Sequence, residues 1–132
     1  MSLIDLIGVA AAGRSTKLSN IICEHVSEEF NGNLKLLFSS RTSNPLGLAL
    51  SAGMTIDSID AHDGFNPAKG HIGCPLFPAI LAVARERQLT GKEFLEALLI
   101  GYEFGARVSV IQHATVPDYH TSGSWGAVTA AA

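Results

Sequence analysis

"TGKEFLEALLIGYEFGARVSVI", residues 90–111, decides what kind of protein this is. Thr90 and Glu93 stand three apart in the order of a capping box, in which hydroxyl and carboxylate satisfy the first free N–H groups of a helix. Behind them a long apolar helix runs to about Ile111, with Glu103 and Arg107 one turn apart as an ion pair. Gly101 and Gly105, four apart, let a second helix approach closely. In a bilayer that spacing marks helix dimers, but Glu93, Glu96, Glu103 and Arg107 exclude one here. Helix packing against helix is what remains.

Working outward, the same grammar repeats. "PLFPAILAVARERQ" (75–88) reads as a helix with Pro75 and Pro78 in its first turn and Arg85 and Arg87 at its negative end. Asn44-Pro45 is a helix start, carried to about Ile59 despite Gly47 and Gly53. Residues 16–30 read as an amphipathic helix with Leu18, Ile21, Ile22, Val26 and Phe30 on its buried face. Residues 3–12 read as a buried helix stopped by Gly13. Residues 34–38 make one extended segment at most, and a last helix starts near Ser122 or Ser124. No strand alternation, repeat or linker interrupts the series. The expected fold is an all-α helical bundle over 1–132.

Composition narrows the function classes. The chain has 132 residues, net charge −3 and a pI near 5.9, with no cluster of Lys or Arg. Nucleic acid and anionic membranes both need a basic patch, so neither is expected as a partner. No run of 18 apolar residues is present to span a bilayer. The apolar start, "MSLIDLIGVAAAG", lacks a positive leader region and carries Asp5, which reads as a buried helix rather than a signal peptide. Cys23 and Cys74 match no metal spacing, and a reduced, cytoplasmic setting is expected. Both ends read as helix cut mid-pattern, so a piece of a larger protein is expected.

The exception to this sparse chemistry is "SIDAHDGFNPAKGH" (58–71). With Asp57 it gathers three of the five aspartates and two of the five histidines into a Gly/Pro-broken segment of a chain that is only 16% charged. Asp57, Asp60 and Asp63 at spacings of three could hold Mg²⁺ for a diphosphate, but only Lys69 and Phe65 are near to help, which favours a polar helix end with one useful acid. Asp60, His62, Asp63 and His71 are legitimate transition-metal ligands without a compact pair on a helix, so no metal is expected. General acid–base work suits the histidines better, since imidazole ordinarily titrates near pH 6.5. His71 lies between glycines in "KGHIG". His120 precedes a helix start rich in hydroxyls, whose free N–H groups can seat a carboxylate. His25 and His113 read as structural.

These residues carry a resemblance. "SAGMTIDSIDAHDGFNPAKGHIGCPLFPAILAVA", then "GKEFLEALLIGYEFGARV", then "YHTSGSWGAVTAAA", resemble the N-terminal helical domain of the MmgE/PrpD family, and the opening "LIDLIGVAAAG" resembles its early "D-x-x-G-x-x-x-A-G" helix. The family includes 2-methylcitrate dehydratase, cis-aconitate decarboxylase and iminodisuccinate epimerase. Asp60 and Asp63 match the first and last acids of its "D-x-D-D" motif, with His62 in place of the middle acid. His71 matches the histidine of the next loop, and His120 that of "H-P-x-x-x-x-G", with Thr121 in place of the proline.

The resemblance implies a cofactor-free lyase or epimerase acting on a small di- or tricarboxylate, as a homodimer, with a second α+β domain and the family's lysines beyond residue 132. It implies His71, His120 and Asp60 as catalytic residues, and Asp63, Lys69, Ser122 and Ser124 as substrate-binding ones. Asp60, His71 and His120 are then expected to converge on one concavity beside the start of the last helix, at Ser122–Ser124. The alternative is a non-catalytic helical module acting only through packing.

Overall fold

The computed structural model describes residues 2–118 and 121–132. Six helices make up the architecture: α1 (Ser2–Gly13), α2 (Lys17–Glu29), α3 (Pro45–Asp57), α4 (Gly73–Arg87), α5 (Gly91–Thr115) and α6 (Ser122–Ala131). Two-residue strands, β1 (Leu34–Lys35) and β2 (Thr42–Ser43), pair antiparallel between α2 and α3, and the all-α reading holds. Among the described residues no helix is long and apolar enough to cross a membrane.

Local chemistry sets the helix starts. Thr16 and Asn44 each accept a backbone N–H from three residues on, at Ser19 and Gly47. At α5 the capping box is complete: the Thr90 N–H donates to Glu93 Oε2 at 2.8 Å, and the Glu93 N–H returns to Thr90 Oγ1 at 3.3 Å. Glu103 accepts from Arg107 Nε at 2.8 Å. The helix itself runs four residues past Ile111, and within that last turn His113 Nε2 donates to the Ala68 carbonyl at 2.5 Å.

Two sequence readings are corrected by packing. On α2 the buried stripe is Ser19, Ile22, Cys23 and Val26, while Leu18 and Ile21 face outward. The Ser19 hydroxyl shares a buried hydrogen bond of 2.8 Å with Thr55, which turns the helix away from its most apolar side. Pro78 lies past the first turn of α4, inside the helix. Having no N–H, it cannot bond the Cys74 carbonyl one turn back.

α3 and α4 form the centre, with α1, α2, α5 and α6 against them. The main core joins Leu6, Ile56, Ile72, Leu76, Phe77 and Trp125, and a second core gathers Ile22, Val26, Leu36 and Leu48 around α2. Glycines let the backbones meet. A Cβ on Gly101 would strike the Leu76 side chain, and one on Gly105 would come within 2.9 Å of both Thr129 and Ile72. Gly13 ends α1 without a left-handed φ; a Cβ there would collide with the Thr55 carbonyl, so close crossing of α3 explains this glycine.

Candidate functional site

Between α3, α4 and the start of α6 lies a cleft of about 570 Å³. Gly53, Met54, Pro75 and Pro78 give it apolar walls, and its polar end is formed by Asp57, His62, His71 and Ser122. No Lys or Arg lines it among the described residues.

The polar end is built by a chain reversal after α3. Ser58 closes the helix by donating to the Thr55 carbonyl at 2.7 Å. Asp60 then adopts φ 47°, in the left-handed region, and Lys69 does the same at φ 50° after a single 3₁₀ turn, Asn66–Ala68. The Phe65 N–H donates to the Gly70 carbonyl at 2.8 Å and closes the loop on itself. Gly70 is required where it stands: a Cβ would lie 2.5 Å from Ser122 Oγ and 2.8 Å from Trp125. Its absence allows α6 to settle on the loop and brings Ser122 to the cleft that His71 lines.

The two loop histidine rings meet, centroids 4.1 Å apart and planes tilted by 59°. His62, 6% exposed, donates from Nε2 to Asp57 Oδ1 at 3.2 Å, while its buried Nδ1 has no hydrogen-bond partner among the described residues. His71 Nδ1 lies 2.6 Å from the Asp63 carbonyl. A carbonyl only accepts, so Nδ1 carries the hydrogen and Nε2 keeps its lone pair in the neutral ring. Nε2 stands 3.6 Å from Asp60 Oδ1 on a largely exposed carboxylate.

The remaining groups hold these in place. Asp63 is half-buried and accepts the Gly73 N–H at 3.4 Å, at the first turn of α4. Burial raises its carboxyl above the ordinary range, against the opposing pull of the Tyr102 hydroxyl, the Gly73 N–H and both histidines. Tyr102 beside it is pushed up as well, first by burial and then by Asp63. Burial, with Asp57, Asp63 and Asp60 adding to it, pushes the Cys74 thiol up to about 12. Cys74 is thus a neutral wall residue at physiological pH and no nucleophile.

Of the residues singled out in the sequence, His71 and Ser122 line the cleft and Asp60 reaches His71 from its rim. Asp63 serves behind His71 as its backbone acceptor. Lys69 is exposed and does not line the cleft, and Ser124 turns to the Thr121 carbonyl at 2.8 Å, accepting from Gln112 as well. His120 lies outside the described residues; its neighbour Thr121 is the N-cap of α6. Sequence reasoning missed the Asp57–His62 pair. The signal was an acid and a histidine five apart across a helix end, and only the left-handed turn at Asp60 folds them together. Two ligand sets also arise: one donor atom each from Asp60, His62 and His71, and likewise from Asp57, His62 and Cys74, lie within 4.8 Å of one another.

A cis-aconitate decarboxylase-like protein of Aspergillus oryzae is 26% identical over 141 aligned residues, covering 98% of this chain and 29% of that protein. The chain thus spans under a third of the length of the curated relative it matches. No solved structure gives a significant match. The MmgE/PrpD N-terminal domain matches from residue 1 to residue 132, and the chain belongs to the MmgE/PrpD family.

Proposed function

We propose that this domain forms one wall of a lyase or epimerase site that moves protons at a carbon next to a carboxylate, on a small di- or tricarboxylate. The observation that carries the reading is His71: one nitrogen is fixed as a donor by the Asp63 carbonyl at 2.6 Å, and the other is left free in a cleft. Such a ring takes a proton at Nε2 and returns it, and the Asp60 carboxylate at 3.6 Å stabilises the imidazolium formed in between. Ser122 and Gly123, at the first turn of α6, offer N–H groups and a positive dipole end to a substrate carboxylate. His120, two residues before that helix, is the second acid–base group. Side-chain proton transfer needs no cofactor.

Family membership and the decarboxylase-like relative support this class without choosing among dehydration, decarboxylation and epimerisation. We assign homodimerisation to the outer face of α5, where Leu95, Leu99, Ile100 and Ile111 are each more than half exposed. The test is deuterium wash-in. The full-length protein, incubated in D₂O with a panel of di- and tricarboxylates including cis-aconitate, is expected to exchange or eliminate a proton next to a carboxylate. His71→Asn should slow that step by about 10²–10⁴-fold with the fold intact by circular dichroism. Unchanged exchange in that variant refutes the assignment.

A further inference from the structure

We propose that Asp60, His62 and His71 form a binding site for a divalent ion of the zinc class. One ring nitrogen from each histidine and a carboxylate oxygen of Asp60 lie within 4.8 Å of one another, so small side-chain shifts gather all three onto one ion. Two imidazoles with one carboxylate suit zinc, cobalt or nickel rather than magnesium or calcium, which take oxygen.

Two further observations point the same way. His62 is 6% exposed, yet its Nδ1 is buried without a hydrogen-bond partner among the described residues, an unsatisfied acceptor in the neutral ring beside His71. Metal-binding histidines also carry a second hydrogen bond, from the other ring nitrogen to a carboxylate or carbonyl, which fixes ring and tautomer. Both rings have one already: His62 Nε2 donates to Asp57 at 3.2 Å, and His71 Nδ1 to the Asp63 carbonyl at 2.6 Å. Nδ1 of His62 and Nε2 of His71 are the lone pairs left. The rival set with Cys74 is weaker, because Asp57 is engaged by His62 Nε2 and the Cys74 thiol points to the Gly53 carbonyl. The Asp60 side chain is largely exposed, which gives the ion an entry path and leaves positions for water.

The site itself stands on geometry; its effect on turnover rests on the proton-transfer reading, since an ion on His71 Nε2 occupies the lone pair that accepts the proton. The purified full-length protein, stripped with chelator, is titrated without substrate using zinc alone and cobalt alone. One equivalent should bind, cobalt giving the visible spectrum of a nitrogen- and oxygen-ligated ion. Asp60→Asn, which keeps a left-handed backbone that asparagine tolerates, should weaken binding at least about tenfold, as should His62→Asn. His25→Asn, on the exposed side of α2, should leave it unchanged. Absent binding, or binding indifferent to Asp60→Asn and His62→Asn, overturns the site and leaves the proton-transfer reading standing. Site-specific binding that leaves turnover intact overturns the role of His71 instead.

Discussion

Asp63 shows how a residue can matter to a site without lining it. Its carbonyl sets the tautomer of His71 and its carboxylate accepts the first N–H of α4. Burial raises that carboxyl above the ordinary value of 3.8, so the folded chain holds its proton more tightly than the unfolded one. The contribution to stability is therefore complete below the ordinary value and lost as pH rises through the folded one. Asp63→Asn, which keeps an acceptor and drops the charge, should melt at a higher temperature than the parent at neutral pH. The gap should close as pH falls towards about 4; an unchanged gap across a thermal-melt pH series refutes the linkage. Cys74 is the second test at this scale. With its thiol pushed up to about 12, alkylation near neutral pH should be far slower than for a free cysteine, and Cys74→Ser should leave turnover within about threefold. The clustering of Asp60, Asp63 and His71 was legible because acids and imidazoles crowd a turn-rich segment. Their hydrogen-bonding arrangement was not, since it depends on a left-handed backbone at Asp60, which aspartate tolerates better than most residues but adopts only occasionally.

The starts of α3 and α5 were legible because they rest on local capping bonds at Asn44 and Thr90, whereas α4 and α6 begin with no side-chain cap. Buried faces were less so. Ser19 displaced Leu18 and Ile21 from the interior through its bond to Thr55, a residue 36 positions away that no periodicity in α2 contains. Glycines divide the same way. Gly105 lies where α5 meets α6, and Gly105→Ala would press a methyl to within 2.8 Å of Thr129 and 2.9 Å of Ile72. The expected cost is about 1–3 kcal/mol in chemical denaturation. Gly8, mid-α1 with nothing within 4 Å of a built Cβ, should gain about 0.5–1 kcal/mol as alanine. Equal effects at the two positions contradict the packing described for α5 and α6.

For the molecule as a whole, the exposed Leu and Ile side chains of α5, interspersed with Glu96 and the Glu103–Arg107 pair, are the feature that its own core does not explain. Leu99 is 73% exposed and Ile100 68%. The protein should bind a hydrophobic dye and sediment as a dimer, and Leu99→Asp with Ile100→Asp should reduce both; a dye-silent monomer excludes that interface. The cleft carries a different consequence. Its polar end presents Asp57, with Asp60 at the rim, no lysine or arginine lines it among the described residues, and the chain carries net charge −3. A polycarboxylate approaching this wall meets its own sign of charge while the histidines are neutral, opposed among the described residues by the partial positive end of α6. Counterions usually compete with anion binding; here, with a Debye length of about 8 Å at physiological ionic strength, they shield a repulsion. Added salt should therefore tighten, rather than loosen, the grip of this wall alone on a tricarboxylate. The cations that reverse that sign have to be supplied from outside the cleft described here.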